Sequence, residues 1–377
     1  MTKLYYTAKP YIVLLFIVLL STFIAWLPFL FRVSPWFGLR IDNPDMGYIY
    51  RQFDGLLYVV VAKTAYVPEA IRNLGLEIVL PERYFAAHLP LYPLLIRIFS
   101  VMFGYIKSMI VVNILATIFL AWFFYFVLVR LSITKHPLLL SIVFLFLARF
   151  VVVRVVGAPE SLFMLLVLVS LFSFEKKQYL LAGVAGFCAV LVKSPGMLLF
   201  GAYGLTIIES WWKNRRISLE WAWLALIPAA FGVLCLIYAK QYGDFFAYFH
   251  SGDNIHLVFP FSAFNFREVW VGTAWLEDII FYFFLYGYAV IRLFKSPYRS
   301  FFYFSLVFFI AVINVQHRDI ARYSLPIWPL ACIAFEQFFT SRKFLLIALI
   351  LLPAIMLYTW NMLSFNVMPV SNWKPFL

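Results

Sequence analysis

Leu89-Pro-Leu-Tyr-Pro-Leu-Leu-Ile-Arg-Ile-Phe-Ser-Val-Met-Phe-Gly-Tyr-Ile106 is apolar, but Pro90, Pro93 and Arg97 break it. Whether this stretch crosses a membrane decides on which side every later loop lies. Suppose that it stays on one side. The inner loops then collect Lys3, Lys9, Arg130, Lys135, Lys176, Lys177, Lys213, Arg215, Arg216, Arg292, Lys295, Arg299, Arg342 and Lys343 against only Glu175, Glu209, Glu220 and Glu336. If it crosses, every later basic cluster, including Trp211-Trp-Lys-Asn-Arg-Arg216, moves outside. Short cytoplasmic loops carry the excess of lysine and arginine, so the first arrangement is the expected one. The stretch is then a re-entrant or interfacial helix, with the N-terminus inside and the C-terminus outside.

Apolar runs flank this stretch on both sides, at about 11–31, 108–130, 137–154, 160–174, 179–192, 195–209, 221–239, 269–291, 300–315, 323–339 and 343–361. The chain is 65% hydrophobic and 12% charged, where soluble domains carry about 25% charged residues. The expectation is an all-α polytopic membrane protein of about eleven transmembrane helices, one domain over residues 1–377. A perpendicular span needs about 20 residues, so several of the runs are short and their ends soft. The run from Tyr11 to Phe31 is longer than the ~7–15-residue core of a cleaved signal and offers no small-residue cleavage site, so it reads as a retained helix. Cys188, Cys235 and Cys332 lie in apolar runs without paired or metal-like spacing and read as small hydrophobes. The net charge of +13 sits in short clusters between spans. That is a topology signal, and it excludes nucleic acid as a partner. No internal repeat of the kind found in secondary transporters is visible.

On this topology the polar outer side consists of a first external loop (32–107), the junction near 154–160, the break at Lys193-Ser-Pro-Gly196, a second large loop (240–268) and His317-Arg-Asp-Ile-Ala-Arg322. In the first loop, Asp54 precedes Gly55 and opens a stretch (Leu56, Leu57, Val60, Val61) that suits a short surface helix. An acid there caps a helix or does chemistry. Asp42 and Asp45 flank Asn43-Pro44 and read as turn residues. Glu160, after Gly157-Ala-Pro159, falls in the first turn of the next helix and has the same two readings. Arg149 and Arg154 lie at the outer end of a span, where arginines snorkel to headgroups or hold a ligand. Lys193 is a cation between two apolar runs beside a helix break, either a phosphate contact or a loop lysine. Asp244, His250, Asp253 and His256 match no tight metal-ligand spacing. Arg318 and Arg322 suit a phosphate or headgroups.

In collinear order, several segments resemble the PIG-V-like mannosyltransferases, membrane glycosyltransferases of the GT-C class. They are Phe53-Asp-Gly55 with Tyr58, Ala62 and Tyr66; Phe85 to Arg97; Pro159-Glu-Ser-Leu-Phe163; Leu181-Ala-Gly183 with Leu191-Val-Lys-Ser-Pro-Gly196; Tyr242-Gly-Asp244 with Ala247-Tyr-Phe249; and Ala321-Arg-Tyr-Ser-Leu-Pro326. The resemblance implies a GT-C-type helical bundle with a catalytic acid on the first external loop. It also implies a polyprenyl-phosphate sugar as donor, used on the non-cytoplasmic side. The family's aspartate falls on Asp54, its glutamate on Glu160, and its proline-tyrosine-proline segment on Pro90, Tyr92 and Pro93. This chain departs from the pattern at Phe53, where the family has tryptophan, at Lys193, where it has arginine, and at Ala87-His88, where it has aromatics.

The functional expectation is therefore an inverting transfer of a hexose, mannose first, from a polyprenyl-phosphate carrier to a hydroxyl of a lipid-linked or cell-surface glycan acceptor. Asp54 is the expected base. Lys193 and Arg322, supported by Arg154 and His250, are the expected phosphate-binding cations, and Glu160, His88, Tyr92 and Asp244 complete the substrate-binding set. No metal or other cofactor is expected. The setting is a prokaryotic plasma membrane with the site facing outside. The rivals are a flippase or transporter for lipid-linked sugars and a GT-C transferase for a different sugar.

Overall fold

The computed structural model describes residues 2–77, 80–252, 261, 264 and 268–377. All extended secondary structure among them is helical; two isolated antiparallel bridges, Trp36 with Leu39 and Gln52 with Val367, complete it. The chain divides into two compact units, Met1–Leu165 with Glu336–Leu377, and Leu166–Phe335.

The first unit begins with α1 (Thr2–Leu30), followed by α2 (Gly47–Tyr50), α3 (Gly55–Thr64) and α4 (Pro68–Asn73). The sequence predicts a surface helix near 56–61. The helix is present, but it is buried, with Leu56, Val59 and Val60 at 0% exposure. The reason is composition: Leu56, Leu57, Val59, Val60, Val61 and Ala62 leave no polar face to turn outward. A 3₁₀ turn (Glu82–Ala87) leads into α5 (Leu91–Phe103). At 1.5 Å per residue α5 is about 20 Å long, well short of a ~30 Å hydrocarbon core. It ends at Gly104, whose φ of +72° is a conformation glycine adopts without strain. Tyr92, Pro93 and Ile96 are buried, while Leu94, Ile98, Val101 and Met102 form an exposed apolar face.

Next comes α6 (Tyr105–Arg130), 26 residues and long enough to cross. Residues 137–154, expected as one span, are instead α7 (Pro137–Phe144) and α8 (Ala148–Arg154), bent by 76°. The snorkelling reading of the two arginines fails, because Arg149 and Arg154 are only 9% and 1% exposed. The boundary between units falls within α9 (Glu160–Glu175).

In the second unit, α10 (Tyr179–Val192) ends at Lys193, which is extended (φ −149°, ψ 135°) and leads into a 3₁₀ turn (Ser194–Met197). The expected break is there. It is followed by α11 (Leu198–Asn214), a 3₁₀ turn (Leu219–Ala225) and α12 (Leu226–Tyr242). Two glycines let α10 pack closely: a β-carbon on Gly183 would lie 2.2 Å from the Trp223 carbonyl, and one on Gly186 2.6 Å from Ile227 Cγ1. The unit continues with α13 (Ala247–His250), α14 (Thr273–Leu293) and α15 (Arg299–Ile313). Two of the four acids assigned to the inner side are hydrogen-bonded here. Glu175 accepts from the Ser300 amide (2.9 Å) and hydroxyl (2.7 Å), and Glu209 from Lys213 (2.6 Å) and Arg299 (2.7 Å).

The run 323–339, expected as one span, is a chain of short pieces: α16 (Ile320–Tyr323), a 3₁₀ turn (Leu325–Ile327), α17 (Trp328–Ala334) and α18 (Glu336–Phe339). Pro326 and Pro329 each remove a backbone donor there and interrupt helical continuation. The last helix, α19 (Arg342–Phe365), belongs with α18 to the first unit. Among the described residues, five helices are long and apolar enough to cross a membrane, six if α7 and α8 form one broken span. Further apolar helices of 10–17 residues, including α10 and α15, make the expected eleven spans compatible with the structure.

Candidate active site

Within the first unit, the strongest sequence candidate sits at a strained turn. Phe53 has a φ of +49°, a left-handed conformation that is uncommon for an aromatic residue. Asp54 follows as the N-cap of α3, half-buried, and its side chain makes no capping hydrogen bond. Gly55 comes next because no side chain fits: a β-carbon would lie 2.8 Å from the Gly157 carbonyl oxygen and 2.9 Å from Met109 Sδ. The Asp54-Gly55 turn thus rests directly on the segment that delivers Glu160.

That segment is irregular, and α6 and α1 hold it by its carbonyls. Asn113 Nδ2 donates to Val153 O (2.8 Å) and Val156 O (2.6 Å), and Trp26 Nε1 donates to Val155 O (2.9 Å). Thr117 Oγ1 donates to Ser161 Oγ (2.8 Å), one residue beyond Glu160. Glu160 opens α9 and is buried at 3% exposure. Tyr92 lies within electrostatic reach of that carboxylate and donates its hydroxyl to Met109 O at 2.8 Å. The Tyr58 ring, on α3, meets Tyr92 and His88 edge-on, with centroids 5.2 and 4.9 Å apart. Tyr66 donates to the His88 carbonyl at 2.6 Å. Asp54, Glu160, His88 and Tyr92 are thereby drawn into one neighbourhood. Arg154 belongs to the same unit but is bonded elsewhere, Nη2 to Ser21 Oγ at 2.9 Å, with its guanidinium over the Phe146 ring.

The second unit contains the cations. Lys193 Nζ lies 5.1 Å and the Arg322 guanidinium 5.7 Å from the centroid of the Tyr323 ring, so both charges lie against one aromatic residue. Arg322 is 5% exposed and contacts Asp319 at 3.7 Å. His317 accepts from the Asp319 amide at 2.9 Å and packs edge-on to Tyr323. Beside Lys193, Ser194 Oγ accepts from Tyr248 at 2.7 Å. His250 and Asp244 pair at 2.8 Å, with Asp244 also accepting from the Phe246 amide at 3.0 Å. Asp253 and His256 lie outside the described residues. Among the described residues, no three or more His, Cys, Asp or Glu side chains come together as a metal site.

Sequence reasoning missed the supports: Asn113, Thr117 and Met109 on α6, and the Tyr323 ring. Asn113 carried a usable signal, a lone amide inside an apolar run, where polar groups are expensive unless bonded. Met109 carried none, because a methionine in an apolar helix is ordinary.

No protein-family model matches the chain, and no curated protein does. Solved structures do. ArnT from Cupriavidus metallidurans bound to undecaprenyl phosphate aligns with a TM-score of 0.59 and 12% identity, over 91% of this chain and 63% of that one. The Archaeoglobus fulgidus oligosaccharyltransferase tethered to an acceptor peptide aligns with a TM-score of 0.52 and 12% identity, over 96% of this chain and 56% of that one. AglB from the same organism, in complex with an inhibitory peptide and a dolichol-phosphate, gives 0.50 and 13%, over 96% and 57%. The chain therefore spans less than two thirds of the length of these structures. At such identity the likeness establishes the fold, and the fold of this chain is a GT-C-type helical membrane bundle.

Proposed function

We propose that this chain is an inverting, metal-independent glycosyltransferase. In this reading it moves a hexose, mannose as first candidate, from a polyprenyl-phosphate carrier to a hydroxyl of a lipid-linked or cell-surface glycan acceptor on the non-cytoplasmic side. The observation that carries it is the half-buried Asp54 on a strained turn seated against the Glu160 segment. Two structures sharing the fold hold a polyprenyl phosphate, undecaprenyl phosphate in one and dolichol-phosphate in the other. That supports the same class of donor here.

In the proposed reaction Asp54 takes the proton of the acceptor hydroxyl as its oxygen bonds to the anomeric carbon. The bond from that carbon to the phosphate oxygen breaks, and its electron pair leaves with the phosphate. A phosphate leaves as an anion without protonation, so the demand is for cations that stabilise its growing charge. Lys193 and Arg322 have that assignment, with His250 and the buried Arg154 in support. Glu160, His88, Tyr92 and Asp244 are assigned to substrate binding. Lysine at 193 supplies charge without a bidentate fork, which leaves the directional contact to Arg322.

The test is transfer of radiolabelled mannose from polyprenyl-phosphate mannose by the purified chain in detergent, wild type beside Asp54→Asn, with and without chelator. Transfer that survives chelator and vanishes in a folded Asp54→Asn supports the reading. Inactivity of both proteins across several lipid-linked sugars, with movement of labelled lipid across liposomes, replaces it with a flippase.

A further inference from the structure

A cavity of about 530 Å³ lies in the first unit, within the usual range for small-ligand sites, and none of the residues assigned above lines it. Its walls include Asp42, Asn43, Asp45, Tyr48, Arg51 and Trp373. Two stretches build it, the first external loop before Asp54 and the segment after α19. These are fastened to each other at several points. Gln52 and Val367 form an antiparallel bridge, Met368 N donates to Arg51 O at 2.7 Å, and Gln52 Nε2 donates to Leu363 O at 2.6 Å. Lys63 Nζ donates to Pro375 O at 3.0 Å, and Ser371 donates to the Glu77 carboxylate. The Trp373 ring packs over Gly47, where a β-carbon would come within 3.4 Å of Cζ2.

The chemistry of these walls is selective. The half-buried Trp373 ring offers an apolar face, while Asp42, Asn43 and Asp45 offer acceptors and an amide in fixed turns. The turns are held from within, by Tyr48 OH to Asp42 O (2.6 Å) and by the Gly47 amide to Asp45 Oδ1 (2.8 Å). The Arg51 guanidinium lies 4.5 Å over the Tyr48 ring, and its Nε is buried without a protein acceptor among the described residues. An indole ring beside carboxylates, an amide and a guanidinium matches a pyranose, which has an apolar C–H face and a rim of hydroxyls. A lipid tail finds too many charges here, and a phosphate meets two carboxylates against one arginine. Arg51 precedes Asp54 by three residues, so their Cα atoms are at most about 11 Å apart.

We propose that this cavity is a saccharide subsite that holds the sugar of the acceptor beside the base. The acceptor role rests on the transferase reading above; the sugar binding does not. The experiment is saturation-transfer NMR on the full chain in detergent, with a panel of neutral methyl pyranosides and disaccharides of mannose, glucose and N-acetylglucosamine as probes. The expected result is binding of at least one probe by wild type. Asp42→Asn and Trp373→Ala should weaken it about tenfold or more, the loss of one charge-assisted or stacking contact. Asp42 is exposed, so its variant keeps the test sound if Trp373→Ala unfolds. Failure of every probe to bind, or binding indifferent to both substitutions, overturns the proposal. Failure of the transferase reading looks different: wild type consumes no lipid-linked donor, while sugar binding is decided by its own titration.

Discussion

Gly55→Ala is the sharpest test of how the proposed active site is built. The added methyl would stand 2.8 Å from the Gly157 carbonyl oxygen and 2.9 Å from Met109 Sδ, where ordinary contacts begin at 3.4 Å. Methionine can swing away, but the carbonyl belongs to a backbone whose neighbours, Val153, Val155 and Val156, are already bonded to Asn113 and Trp26. The turn must therefore move by roughly half an ångström or more, at a cost of about 1–3 kcal/mol for overpacking. Asp54 moves with it, and a displacement of this order at a reacting group lowers rate by as much as about 100-fold. The assay pairs thermal unfolding in detergent with transfer from polyprenyl-phosphate mannose. Gly204→Ala is the control, on a helix where a β-carbon meets nothing within 4 Å. A Gly55→Ala protein as stable and as active as Gly204→Ala would refute the account of this contact.

Four further outcomes are expected. Asp54→Asn, a nearly isosteric change, should lower transfer by about 10²–10⁴-fold in a protein that still folds, with unfolding in detergent as the check on folding. Asn113→Leu should destabilise by about 1–3 kcal/mol for each carbonyl left unsatisfied, measured by unfolding in detergent, since it releases Val153 O and Val156 O. Arg322→Lys should raise KM for the lipid-linked donor about tenfold, read from donor titrations at two salt concentrations. The Arg72 guanidinium, bonded at 2.9 Å, holds the Glu82 carboxyl below the usual carboxylate range. Its contribution is present above the unfolded-state pKa and is lost as pH falls through the lower folded one. Arg72 is exposed and Glu82 partly so, so Glu82→Gln should remove less than about 1 kcal/mol at neutral pH and nothing in acid, as unfolding followed across pH would show.

The membrane character of the chain was legible because hydrophobic runs and basic clusters are properties of composition, and α5 was legible as a segment set apart from the longer helices because its prolines and Arg97 break the run. The course of the backbone at 145–147 and across 323–339 was not. Breaks there depend on which carbonyls a neighbouring helix can satisfy, and apolar residues look alike on either side of a bend. Asp54 and Glu160 could each be singled out in the sequence as an acid at a helix start. Their association could not, since it depends on two glycines, 55 and 157, and a methionine filling the space between. The burial of α3 was likewise hidden by its place in a loop that otherwise reads as polar.

The bridge between Gln52 and Val367 has a consequence for biogenesis. The two sides of this junction are made far apart in time, the Gln52 amide and its acceptor at Leu363 being separated by 311 residues. A contact of such sequence separation closes late in folding. The loop that carries Asp54 emerges early in synthesis, yet its stated geometry awaits insertion of α19 and the segment beyond it. A nascent or prematurely terminated chain would therefore hold every carboxylate discussed here and still lack the finished loop around Asp54. Restoring residues 342–377 as a separate polypeptide, and asking whether transfer returns, would measure how much of the site that last segment completes.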